Sequence, residues 1–134
     1  STQVAIEGPY GFLNFSQSEQ PQLWLAGGIG ITPFMSYLIE DHPGQKIDLF
    51  YSFNGPDACV YKDFLEGYQK RNSLFTAHLV DSSVMGPLNF DHFTLDPKTD
   101  VFMCGPEKMV KNYVNYFQHK PNVGQISYEA FSLR

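Results

Sequence analysis

Leu23-Trp24-Leu25-Ala26-Gly27-Gly28-Ile29-Gly30-Ile31-Thr32-Pro33-Phe34 is the stretch whose reading decides the fold. Its leading apolar run is too short for a helix and suits a buried strand. Gly27, Gly28 and Gly30 then make a turn without side chains, where a ligand can approach the backbone closely. Thr32 is a candidate helix cap, and Pro33 suits a first helical turn, where an N–H has no intrahelical partner. Strand, glycine turn and helix N-terminus together present free N–H groups and a positive dipole end to an anion such as a pyrophosphate. Glycine-rich strand-to-helix turns also serve close packing alone. The stretch by itself leaves both uses open.

It is not the usual dinucleotide fingerprint. Gly28-x-Gly30-x-x-Pro33 lacks the third glycine, and the fingerprint also wants an acid about 20 positions on to grip a ribose. The next apolar strand, Ile47 to Phe53, ends in Tyr51-Ser52-Phe53-Asn54 with no acid. A standard Rossmann assignment is disfavoured, while phosphate binding at the turn stays open.

Outward from this stretch, strands and helices alternate. Val4-Ala5-Ile6-Glu7 reads as a strand ending in the turn Gly8-Pro9-Tyr10-Gly11-Phe12. Phe34, Met35, Leu38 and Ile39 recur at helical spacing, and His42-Pro43-Gly44 is a stop. Lys46 to Phe53 is a strand. Tyr61, Phe64, Leu65 and Tyr68 mark an amphipathic helix with Asp57 as a candidate cap. Leu74 to Val80 reads as a strand, the residues from Asp81 to Pro87 as a loop, and Asp91 to Leu95 as a short helical piece. Val101 to Cys104 is a strand cut off by Gly105-Pro106. Met109, Val110, Tyr113, Val114 and Phe117 give the clearest helix, Pro121 ends it, and Gln125 to Phe131 makes a last strand. This alternation predicts an α/β fold, a doubly wound parallel sheet with helices on both faces. Ligands of such sheets sit beyond the strands' carboxyl ends. The turns at Gly27–Gly30 and at Cys104-Gly105-Pro106 both lie there, and as spatial neighbours they would form one long cleft.

Composition narrows the classes. The chain has 134 residues, enough for one core but small for a complete two-substrate enzyme. A hydrophobic share of 43% with 17% charged residues fits an ordered globular domain. A net charge of −5 without a basic run argues against a nucleic-acid partner. Cys59 and Cys104 lack metal-ligand spacing, so no metal site is expected. Separate reduced thiols suit an α/β domain of cytosolic type, and a disulfide between them is the alternative. His42, His78, His92 and His119 are scattered singly, as surface or edge residues would be. No stretch approaches the ~20 apolar residues of a membrane helix. The chain starts at Ser1 and reads as a piece of a larger protein.

Five ordered motifs carry a resemblance. Gly8-Pro9-Tyr10-Gly11, the Ala26–Pro33 turn, Tyr51-Ser52, Cys104-Gly105-Pro106 and the terminal Tyr128-Glu129-Ala130-Phe131 resemble the ferredoxin–NADP reductase superfamily across essentially the whole chain. The ending Ile126-Ser127-Tyr128-Glu129-Ala130-Phe131 most resembles its ferric-reductase-like and NADPH-oxidase-like membrane flavoproteins. The resemblance implies a three-layer, five-stranded parallel sheet of order 3-2-1-4-5 that takes hydride from NADPH or NADH. It makes residues 13–134 the NAD(P)-binding domain and residues 1–12 a junction from an FAD-binding β-barrel of the same parent chain. That barrel's Arg-x-Tyr-Ser-type motif is absent here. In the membrane relatives electrons pass on to haem in a transmembrane domain. The parent would then be an integral membrane protein, with this soluble piece on its cytoplasmic face.

Residue by residue, the resemblance makes Gly27, Gly28, Gly30 and Thr32 the pyrophosphate turn, with Ile29 and Pro33 inside it. Ser52 and Asn54 stand beside the adenosine ribose, but Phe53 and Asn54 occupy the place of an arginine that would grip a 2′-phosphate. A weak NADPH preference or none follows, with Lys62 as a substitute point charge. Cys104 is placed beside the reacting nicotinamide carbon, and Gly105, Pro106 and Met109 join the cofactor-binding set. A cysteine ending an apolar strand is otherwise a small core residue. Glu129 is placed near the hydride-transfer centre and Phe131 against the flavin, although a strand glutamate ordinarily faces solvent. A non-catalytic nucleotide-binding or regulatory module is the alternative to an oxidoreductase domain. Cys104-Gly105 and Glu129-x-Phe131 favour the enzyme, because holding a phosphate needs neither.

Overall fold

A strand apolar on both faces needs a layer on each side, and that is where the Leu23–Ala26 run lies. The computed structural model describes residues 13, 15, 18–40 and 43–132. In it β1 (Gln22–Gly27) is fully buried at the centre of the sheet. It is flanked by β2 (Ile47–Phe53) and β4 (Thr99–Pro106), with β3 (Phe75–Asp81) and β5 (Val123–Phe131) at the edges. The order is β3-β2-β1-β4-β5, as the family resemblance implies, and every pairing is parallel, as the alternation of strands and helices predicts.

Side chains alternate between the two faces. Trp24 and Ala26 face α1 (Thr32–Glu40) and α2 (Lys62–Arg71), packing with Phe34, Leu38, Leu65, Phe102 and Cys104. Leu23 and Leu25 face α4 (Glu107–Phe117), packing with Met103, Val110, Phe117 and Ile126 and with Leu88 and Phe90 of the segment before β4. Phe15 rests on the α1 face, its ring 4.9–5.3 Å from those of Trp24, Phe34, Tyr37 and Phe102. Ser18 donates to the buried Asp100 at 2.6 Å, tying the segment before β1 to β4.

Several local expectations are corrected. Thr32 does not cap α1: a 3-10 turn, Gly28–Ile31, intervenes, and Thr32 is already helical at φ −56 and ψ −47. Gly28, at φ 56, makes the reversal instead. Asp57 does not cap α2. It sits in a separate 3-10 turn, Pro56–Ala58, and Tyr61 holds the cap position without a side-chain bond. The loop after β3 contains a one-turn helix, α3 (Ser82–Met85), because the Asp81 side chain accepts from the Ser83 N–H. Asp91 to Leu95 is not helical; the Asp91 N–H is taken by the Asn89 side chain, which favours a turn. Gly105 and Pro106 continue β4 rather than ending it, pairing with Ala130 and Phe131. Pro106 lies beyond the last β1–β4 pair, Ala26 with Cys104. There the strand has one neighbour, and a missing donor is tolerated. Residues 1–12, which carry the junction and the Gly8-Pro9-Tyr10-Gly11 motif, lie outside the described residues, as does His42.

Candidate functional site

The carboxyl ends of β1 and β4 lie side by side, and the glycines between them divide the work. A Cβ on Gly30 would lie 2.2 Å from the Cys104 carbonyl oxygen and 2.6 Å from its carbon. Only a glycine lets the 3-10 turn cross β4 that closely. A Cβ on Gly27 would lie 2.3 Å from the Met109 sulfur, whereas one on Gly28 would meet nothing within 4 Å. Gly30 and Gly27 therefore both serve close packing, the first against backbone and the second against a flexible side chain, and Gly28 leaves the surface of the turn bare.

That surface belongs to a cleft of about 420 Å³ on the α4 face of the sheet. Gly27 and Gly28 lie between Pro106 and Met109 on the β4 side and Ser52, Phe53 and Asn54 at the end of β2, Gly27 pairing in register with Ser52. Ser82, Pro87 and Leu88 make the outer wall, and Lys108, Asn112 and Tyr113 of α4 complete it. Side chains from different elements tie these walls together. The Ser82 hydroxyl donates to the Phe53 carbonyl at 3.0 Å, and the Tyr113 hydroxyl to the Leu88 carbonyl at 3.1 Å. The Gly55 N–H donates to Asp81 at 2.9 Å. Hydrogen bonds from Ser83 first, then from Gly55, hold the Asp81 carboxyl below its usual range.

A second cluster stands across the sheet. Cys104 pairs with Glu129, and Pro106 with Phe131. Cys104 belongs to the core on the α1 face, and Phe131 is partly buried against it. Burial chiefly, with Glu129 adding, pushes the Cys104 thiol up to about 12. Burial also raises the Glu129 carboxyl. This corner favours neutral groups.

Of the residues singled out in the sequence, Gly27, Gly28, Ser52, Asn54, Pro106 and Met109 line the cleft. Ile29, Thr32, Pro33, Gly30 and Gly105 do not. Ile29 is 71% exposed and Thr32 faces solvent, while Gly30 and Gly105 are buried behind the lining. Lys62 is no part of the cleft; it pairs with Glu66 at 3.1 Å. Sequence reasoning missed Ser82, Pro87, Leu88, Lys108, Asn112 and Tyr113 on the lining, and Asp81 off it, which holds Gly55 and Ser83. The spacing of Lys108 and Asn112 was visible, but which face of α4 meets the cleft was not.

Sheet order, glycine turn and cleft define a nucleotide-binding α/β domain of the ferredoxin–NADP reductase type. Residues 24–115 match the model of the oxidoreductase NAD-binding domain, and the chain belongs to that family. It is 32% identical over 111 residues to the carnitine monooxygenase reductase subunit of Escherichia coli, covering 81% of this chain and 34% of that protein. It is 30% identical over 122 residues to the anthranilate 1,2-dioxygenase electron transfer component of Acinetobacter baylyi, covering 81% and 35%. The chain thus spans about a third of the length of these relatives. Among solved structures, the flavohemoglobin of Malassezia yamatoensis superposes with a TM-score of 0.78 at 18% identity, over 92% of this chain and 36% of that one. The ferredoxin-NADP+ reductase of Plasmodium falciparum gives 0.69 at 17%, over 91% and 57%. At these identities the likeness is one of fold.

Proposed function

We propose that the domain binds NADH or NADPH across the carboxyl edge of the sheet and presents the nicotinamide, at Cys104, to FAD held by another domain of the parent chain. The observation that carries this is the meeting of the Gly27-Gly28 turn of β1 with Pro106 at the end of the adjacent β4 and Met109 of α4 on one cleft. Gly28 leaves the surface of the turn open, with no atom within 4 Å of where its Cβ would stand, and an exposed backbone turn fits a pyrophosphate. Nicotinamide and flavin supply the hydride chemistry when bound, and the protein supplies orientation and exclusion of water.

Each residue then has a part. Ser52 and Asn54 hold the adenosine end. Gly27, Gly28 and the first N–H groups of the 3-10 turn face the pyrophosphate, with Ile29, Gly30, Thr32 and Pro33 shaping that turn. Cys104, kept neutral, packs beside the reacting carbon with Gly105, Pro106 and Met109. Glu129 borders the same corner, and Phe131 covers it as the ring placed against the flavin. The parent's acceptor is haem, ferric iron or another one-electron carrier. The Ile126–Phe131 ending supports a ferric-reductase-like, membrane-associated parent with a transmembrane haem domain, the present domain lying on the cytoplasmic face. Among the described residues no helix is long and apolar enough to cross a membrane.

Titrating the purified chain with ADP-ribose, followed by amide NMR, tests the binding step. Saturable shifts at Gly27, Gly28 and Ser52 are expected, and none at about millimolar ligand would overturn the reading. The chain alone is expected to purify colourless and to leave NADH unoxidised. A stoichiometric flavin spectrum would refute the division of labour between two domains.

A further inference from the structure

One cation stands in the cleft. Among the described residues Lys108 is the single Lys or Arg on its lining, and no Asp or Glu lines it. This occurs in a chain of net charge −5. Lys108 is the second residue of α4, in the first turn, where the helix dipole disfavours a positive charge. Among the described residues it has neither an ion pair nor a hydrogen bond to offset that. Its companion Asn112 stands one turn on and lines the same cleft. Lys108 directly precedes Met109, whose sulfur approaches both Gly27 and Gly105. Because α4 opens directly after β4, Lys108 enters the cleft from the β4 side, with β1 and its glycine turn between it and the end of β2 that carries Ser52 and Asn54.

Resting on the dinucleotide reading above, we propose that Lys108 is the phosphate-neutralising residue of this cleft. It faces the Gly27–Gly28 backbone across the pyrophosphate, with Asn112 as a neutral donor beside it. An ammonium on a flexible stem suits such a contact, which needs a point charge rather than a planar fork. Lys108 thus takes the part that sequence reasoning gave to Lys62, but at the pyrophosphate and not at a 2′-phosphate.

Calorimetric titration of the wild-type chain, Lys108→Gln and Lys108→Arg with adenosine, ADP and 2′-AMP tests this. Lys108→Gln should weaken ADP about tenfold, with Lys108→Arg restoring most of it, because a charge-assisted contact is lost and regained. Adenosine and 2′-AMP should change little, and ADP binding by Lys108→Gln should respond less to added salt. Equal losses for ADP and adenosine would make Lys108 a structural residue and overturn the proposal. So would unchanged ADP binding, or a loss confined to 2′-AMP. A wild-type chain that takes up neither ADP nor adenosine overturns the dinucleotide reading itself and this proposal with it.

Discussion

On the α4 face of the sheet's carboxyl edge, the cleft is open, floored by backbone and served by one lysine. On the α1 face, a few ångströms of strand away, Cys104 is 4% exposed, and Glu129 and Phe131 stand beside it as ladder neighbours. The first region is made to receive charge, because amide dipoles and a solvated ammonium favour an anion. The second is made to exclude it, because burial raises both its thiol and its carboxyl. Under the proposed function, binding and reaction make opposite demands on dielectric, and the sheet would keep them apart. The strand ends of β1 and β4 are the border that a dinucleotide bound as proposed would cross.

That border is the place to strike first. Gly30→Ala puts a methyl group into the Cys104 carbonyl, which is backbone and cannot step aside. A loss of about 3 kcal/mol in a urea melt is expected, at the upper end of overpacking penalties. Gly27→Ala meets the end of a flexible methionine instead. It should cost the fold about 1 kcal/mol, the low end of overpacking, while displacing Met109 on the cleft lining and weakening ADP-ribose. Equal stability losses in the two variants would erase the difference between a glycine held against backbone and one held against a flexible side chain.

On the reacting side, Cys104→Ala in the full-length parent should slow flavin reduction about 100-fold, with a much smaller effect on nucleotide affinity. Stopped-flow reduction at saturating NADH measures it. A wild-type rate would leave Cys104 a packing residue of the α1 face.

At the adenosine end, Asp81 adds a charge that the order of residues along the chain conceals. It pairs in register with Phe53, and its carboxylate is held ionised beside Gly55. It does not line the cleft, but it adjoins Phe53, which does, so its charge bears on an anion bound at that end. The weak NADPH preference or none expected from the missing arginine is therefore tilted towards none. Asp81→Asn should raise the NADPH to NADH ratio of kcat/KM about fivefold at fixed ionic strength, and Asn54→Arg should raise it as well. A ratio unmoved by Asp81→Asn would take Asp81 out of cofactor choice and leave it a loop pin.

The smallest effect is one of pH. The Cys104 thiol ionises near 9 when unfolded and at about 12 in the fold. A raised folded value means that the neutral thiol's contribution is whole below pH 9 and falls away as pH rises towards 12. Wild type should therefore lose more stability than Cys104→Ala in denaturant melts taken on either side of pH 9. Parallel losses would show that the thiol is better solvated than its burial implies.

The sequence by itself determined the layers and the sheet. Apolar runs of strand length alternating with amphipathic helices leave few arrangements, and the Trp24–Ala26 run, apolar on both faces, belongs in the middle of one. It also marked the glycine turn after β1, because glycines closing a buried strand constrain backbone directly, whereas the turn expected at Gly105-Pro106 is strand. Caps were less legible. Thr32 and Asp57 have the right chemistry, but Gly28's positive φ and the Pro56 turn moved the helix starts away from them. What only the tertiary structure decided was company. It determined which of three glycines faces Met109 and which faces the Cys104 carbonyl. It brought Asp81 to Gly55 from 26 residues away, and it turned Lys108 rather than Lys62 towards the cleft. Those outcomes depend on strand register and on the rotation of α4 about its axis. Both are set by packing summed over a whole face, which no local pattern of residues records.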